Sequence, residues 1–192
     1  MKIPALHGLA AVIALAASST LSAAVLTFDD LGQDGTVPAH YGGLDWSAAG
    51  WFAFSLEQEP YTAHSGAVRV ATDFAAQDQS SIVRFATPTR FDGAWFAGLN
   101  GATVTFQLYR DDVLVATSST LDPGATPAFL ATGYEGLVDA FVVASPEHGS
   151  FVMDDVTFAP VPEPSEVALL ALGISVLTLR AARGRRRSQT AR

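Results

Sequence analysis

Val104-Thr105-Phe106-Gln107-Leu108-Tyr109 alternates apolar and polar side chains with a period of two. In an extended strand successive side chains point to opposite faces, so Val104, Phe106 and Leu108 share one face and Thr105, Gln107 and Tyr109 the other. The pattern predicts a half-buried strand over residues 103–110 with its apolar face on a core. The Arg110-Asp111-Asp112-Val113 step that follows is short and polar, which predicts a tight hairpin turn into a second strand over residues 113–117. The Asp111-Asp112 pair is accounted for by that turn.

Working outward, residues 67–72, 81–85 and 150–158 are further short runs rich in Val, Phe, Thr and Ile, separated by Gly, Pro, Asp and Ser. Residues 137–144 and 91–99 are additional strand candidates, the second interrupted by Asp92-Gly93. Between residues 25 and 160 the sequence holds no convincing amphipathic helix and no internal repeat. Many short strands without helices predict an all-β, antiparallel β-sandwich. Residues 25–160 are the right size for one domain with a real core, and no second domain is expected.

The chain has a net charge of −8 and no cysteine. Its acidic residues lie between Asp29 and Glu166, where Arg69, Arg84, Arg90 and Arg110 are the only basic ones, so the sandwich is strongly acidic. Nucleic acid is thereby excluded as a partner, and the charge serves solubility outside the cell. Without disulfides an exported fold must be held by burial or by a metal.

Both ends of the chain read as sorting signals. Lys2 supplies a positive start, residues 9–17 an apolar run, and Ser22-Ala23-Ala24 a small-residue cleavage site, so residues 1–24 read as a secretory signal peptide with the mature chain beginning near Val25. At the other end, Pro162 and Pro164 prevent a helix from running in from the sandwich, and Ser165 is a natural N-cap with Glu166 in the first turn. Residues 167–179 carry no charge. Extended to residue 182, that helix reaches about 20 to 25 Å, short of a hydrocarbon core of about 30 Å, and spans it only with bilayer thinning or snorkelling of Arg180 and Arg183. Arg183, Arg185, Arg186 and Arg187 then keep the end of the chain, residues 188–192, in the cytoplasm.

The order Pro162-Glu163-Pro164-Ser165, apolar helix, arginine cluster resembles the PEP-CTERM sorting signal of Gram-negative bacteria that make exopolysaccharide. That resemblance implies export through the inner membrane, transient anchoring by residues 167–182, and cutting near residues 162–165 by an exosortase, leaving the protein at the cell surface or in the extracellular matrix. An ordinary single-span anchor is the alternative; a Gram-positive sortase signal lacks its LPxTG-like motif here. In the sandwich itself, Thr27-Phe28-Asp29-Asp30-Leu31, Tyr41-Gly42-Gly43-Leu44-Asp45-Trp46 and Phe151-Val152-Met153-Asp154-Asp155-Val156-Thr157-Phe158 resemble the β-sandwich ectodomains found upstream of such signals. Those are similar to jelly-roll, galactose-binding-like carbohydrate modules. The resemblance implies sugar or matrix binding. It also implies first and last strands lying side by side, where Asp29, Asp30, Asp154 and Asp155 could supply part of a structural Ca²⁺ site.

Catalytic motifs are sparse. His7 leaves with the signal peptide, and His40, His64 and His148 read as exposed loop histidines; His64-Ser65-Gly66 lacks the flanking glycines of a nucleophile elbow. The pairs Asp29-Asp30 and Asp154-Asp155, if in strands, would put one carboxylate on each face rather than form a dyad. Tyr41 and Trp46, in a Gly-rich loop, are the candidate sugar-stacking residues, whereas residues 51–54 and 91–96 read mainly as core. The function expected is a non-catalytic surface or matrix protein associated with exopolysaccharide. Its sharper form is a carbohydrate-binding module with structural calcium, and a secreted polysaccharide hydrolase is the alternative.

Overall fold

The half-buried hairpin anticipated from residues 104–117 forms as β8 (Thr105–Arg110) and β9 (Val113–Thr117), with Phe106 and Leu108 fully buried and Gln107 and Tyr109 only partly so. Asp111 and Asp112 both take left-handed backbone, as the two central positions of a type I′ turn require. The computed structural model describes residues 23–160 and 173–175. Residues 1–22 of the expected signal peptide and nearly all of the expected sorting tail, including Pro162 to Ser165 and the arginine cluster, lie outside the described residues. Among the described residues no helix is long and apolar enough to cross a membrane.

The strands in chain order are β1 (Ala24–Leu26), β2 (Gly35–Thr36), β3 (His40–Tyr41), β4 (Leu44–Asp45), β5 (Trp51–Phe54), β6 (Arg69–Thr72), β7 (Ile82–Gly98), then β8 and β9, β10 (Ala128–Ala131), β11 (Val138–Ala144) and β12 (Phe151–Pro160). Short 3₁₀ turns stand at Asp29–Leu31 and Asp78–Ser81. All pairings are antiparallel, in the order β2-β5-β6-β12-β7-β11-β8-β9, with β1 on β12 and β4 and β10 on β7. The result is an open, sandwich-like all-β fold, as the strand pattern predicts.

β7 is the spine. Its first part pairs with β11 and β4, and its second with β12 and β10. The Asp92-Gly93 interruption read from sequence is a kink inside one 17-residue strand. Gly93 has φ +147, and a Cβ there would stand 2.1 Å from the Leu130 carbonyl oxygen of β10. Only glycine lets β10 come this close while the strand continues.

The core is a chain of aromatic rings between the inner faces. Phe28 meets Trp46 edge-on, Trp46 meets Trp51, and Trp51 meets Phe151. Phe151, Phe96, Phe106, Phe91 and Phe141 continue it at centroid separations of 4.4 to 6.0 Å. Burying each such ring contributes about 1.5 to 3 kcal/mol, and each favourable pair about 0.5 to 1.5 kcal/mol more. This is how a chain without disulfides reaches a stable fold.

Trp46 belongs to this core. It is 1% exposed and its indole N–H donates to the Tyr41 carbonyl at 3.0 Å. The sugar-stacking expectation for Trp46 is therefore corrected, because the ring is buried between Phe28 and Trp51 and has no face open to solvent. Tyr41 is half-buried, stacked on Phe28 with its hydroxyl donating to Asp30. Burial, helped by that acidic partner, raises its phenol above the ordinary range.

Candidate functional site: an aromatic trough beside a clasped loop

β5 alternates as a half-buried strand should: Trp51 and Ala53 point into the core, Phe52 and Phe54 point out. Across the ladder, Phe52 faces Ala71 and Phe54 faces Arg69 of β6. Just past β6, Phe74 is 74% exposed and Phe52 is 48% exposed. The Phe74 ring rests on Gly149, whose φ is +78 and where a Cβ would come within 2.6 Å of the ring. A large apolar ring seated against backbone and open to water has no role in the core.

Three adjoining depressions run along this face. The first, about 480 Å³, is walled by Phe52, Phe54 and Phe74 with Thr36 and Asp73 at its rim. The second, about 260 Å³, shares Phe54, Ala71, Thr72 and Phe74 and adds Tyr61 and Gln58. The third, about 340 Å³, shares Gln58 and Tyr61 and is bordered by Glu57 and Glu59. Together they make one trough with an aromatic floor and a polar rim. A separate polar hollow of about 530 Å³ is lined by Gln77, Asp78, Gln79, Gln107 and His148, with no Phe, Tyr or Trp in its wall.

Arg69 holds the trough together. It is almost completely buried, with its guanidinium 4.2 Å from the centre of the Phe54 ring. It donates to the carbonyls of Tyr61 at 2.8 Å, Ala67 at 3.0 Å and Phe54 at 3.4 Å, and to that of Leu56. The charge is thereby satisfied by carbonyl dipoles, and the segment between β5 and β6 is tied to the sheet at three points, Leu56, Tyr61 and Ala67.

The same segment is clasped from its other side by the aspartates. Asp154 Oδ2 accepts the backbone N–H groups of His64 at 2.8 Å and Ser65 at 3.0 Å, and its Oδ1 that of Asp155 at 2.7 Å. Asp155 bonds His64 Nδ1 at 2.5 Å and the Ser65 hydroxyl at 2.8 Å. Asp29 Oδ1 accepts from Ala67 and Val68 at 2.9 and 3.0 Å. Asp154 and Asp155 do not project to opposite faces as a regular strand would have them. A bulge falls between the Asp154–Trp95 and Thr157–Gly93 pairs and gives Asp155 left-handed backbone, so both carboxylates are buried at the clasp. Burial pushes Asp154 up to about 6, helped by the Asp155 charge and opposed by the backbone donors.

The expected neighbourhood of first and last strands is present, since β1 pairs with β12 from Ala24–Phe158 to Leu26–Val156. All four aspartates of the expected calcium set already accept protein donors, Asp30 from the Tyr41 hydroxyl, and among the described residues no group of three or more His, Cys, Asp or Glu is gathered as a metal site. Nor are His64 and His148 free loop histidines. His64 stacks on Trp95 at 3.5 Å, and His148 is buried between Thr72 and Asp78 at 3.2 and 3.0 Å. Sequence reasoning missed Phe52, Phe54 and Phe74 as surface residues. The one available signal was Trp51-Phe52-Ala53-Phe54 itself, where alternation demands that one pair of aromatics face out.

These features define a cysteine-free, acidic β-sandwich with an aromatic trough on one face. No protein-family model and no curated protein matches the sequence. Among solved structures, the K2 cleaved adhesin domain of Lys-gingipain is similar at a TM-score of 0.43 and 14% identity, covering 71% of this chain and 99% of its own. Two variants of CBM29-2, a family 29 carbohydrate-binding module, are similar at TM-scores of 0.40 and 0.39 and identities of 12% and 11%, each covering 74% of this chain. Likenesses this distant carry no argument for function.

Proposed function

We propose that this chain is an exported, non-catalytic protein of the cell surface or extracellular matrix that binds polysaccharide along the Phe52–Phe54–Phe74 trough. The observation that carries the reading is Phe74, an exposed ring seated against Gly149 at the junction of two depressions. Sugar rings present apolar C–H faces and hydroxyl edges, and the trough offers aromatic faces below and Thr36, Gln58 and Asp73 at the rim. The clustered aspartates are engaged with backbone and side-chain donors of residues 64–68, which supports a binding rather than a hydrolytic role for the sandwich. In this reading Pro162 to Ser165 serve an exosortase, residues 167–182 anchor the precursor in the inner membrane, and exopolysaccharide is the ligand met outside.

The test is affinity electrophoresis of the full-length chain, in mild detergent, through gels containing soluble polysaccharides. Retardation is expected for the parent chain and a loss of about tenfold or more in affinity for Phe74→Ala, since one stacked ring is worth roughly 1 to 3 kcal/mol by analogy with base stacking. Unchanged retardation in that variant would move the site elsewhere. Release of new reducing ends from the same polysaccharides would instead favour the hydrolase.

A further inference from the structure

The exposed charges along the trough are all negative. Asp73 borders its first depression and Glu57 and Glu59 its third, and all three side chains are exposed. The single basic residue lining it, Arg69, is buried and spent on four backbone carbonyls. Lysine is absent from the whole chain apart from Lys2. An anionic polymer laid in the trough would therefore meet exposed carboxylates, while an ammonium group would meet both carboxylates and the exposed faces of Phe52 and Phe74.

We infer that the trough selects polysaccharides bearing free amino groups, such as runs of glucosamine, over neutral and anionic ones. The inference rests on the polysaccharide-binding reading above and adds the charge class of the ligand. Each sugar ring stacks on phenylalanine through its C–H face, and an ammonium at the ring edge reaches toward the acidic rim. Exposed cation–π contacts and exposed ion pairs are each worth a few-fold in affinity, so together they should give a preference of about tenfold at low salt. Salt screens exposed pairs, so the preference should shrink as ionic strength rises while the stacking contribution stays.

Binding of the full-length chain in mild detergent to three soluble oligosaccharides of equal length decides the matter: a glucosamine oligomer, a glucose oligomer and a uronic acid oligomer. The expected order is glucosamine, then glucose, with uronate not bound. In a Glu57→Gln/Glu59→Gln variant the glucosamine preference should fall toward unity with glucose binding retained. Both changes are isosteric and at exposed positions. Equal binding of glucosamine and glucose, both lost in Phe74→Ala, would overturn the charge selection and leave the trough as a polysaccharide site. Tighter binding of uronate would overturn it as well. Failure to bind any of the three would remove both readings.

Discussion

Asp154 shows how little a residue's identity says before its surroundings are known. As a strand-end aspartate it is an ordinary solvated charge; in the bulge of β12 it is 2% exposed and accepts three backbone N–H groups. Burial disfavours its charged form and places its pKa at about 6, above the ordinary 3.8. The sign follows from proton binding. The folded chain holds this proton more tightly than the unfolded chain does, so between about pH 4 and pH 6 the contribution of Asp154 to stability falls as pH rises, and it is flat outside that window. Denaturant unfolding of the parent chain across this range should show that decline, and Asp154→Asn should lose it. Parallel pH profiles for the two chains would contradict the assignment. Arg69 is the companion case: a buried charge whose solvation is replaced by four carbonyls, and which gives the trough a rigid floor without an acidic partner within bonding distance.

At the scale of elements, the joining of the chain's two ends is done by backbone pairing. β1 lies on β12, and the Asp29, Asp154 and Asp155 carboxylates around that pair gather residues 64–68. A carboxylate oxygen that accepts two N–H groups has little left to offer a cation, which wants six to eight oxygens at about 2.3 to 2.6 Å. Thermal melting of the full-length chain in calcium and in chelator is expected to give the same Tm. A calcium-dependent rise of several degrees, lost in Asp154→Asn, would reinstate the metal site, because binding to the folded state alone must stabilise it. The β5–β6 pair carries the other lesson. The same alternation that buries Trp51 under the sheet turns Phe52 and Phe54 outward, Phe52 to solvent and Phe54 beneath the Arg69 guanidinium.

For the whole molecule, the expected life history is export, brief anchoring and release of the tail. Mass spectrometry of the exported protein is expected to find a C-terminus near residues 162–165, and an intact end at Arg192 on mature protein would refute processing. Much of the sandwich was legible in the sequence: β8 shows the period of two that burial imposes on a half-covered strand, the tight turn after it is marked by Asp111-Asp112, and β9, β11 and β12 stand out as Val- and Phe-rich runs bounded by turn residues. The first strands could not, since β1 to β4 are two or three residues long, and their pairing depends on where β7 and β12 lie rather than on their own pattern. The acidic balance, the absence of cysteine and the order of proline, apolar and basic residues at the chain's end are properties of composition and sequence alone. Which aromatics are core and which are surface was decided only by tertiary structure. Trp46 and Phe52 are equally apolar as letters, and it is the register of β5 against β6, and the rings stacked around Trp46, that send one inward and the other to solvent.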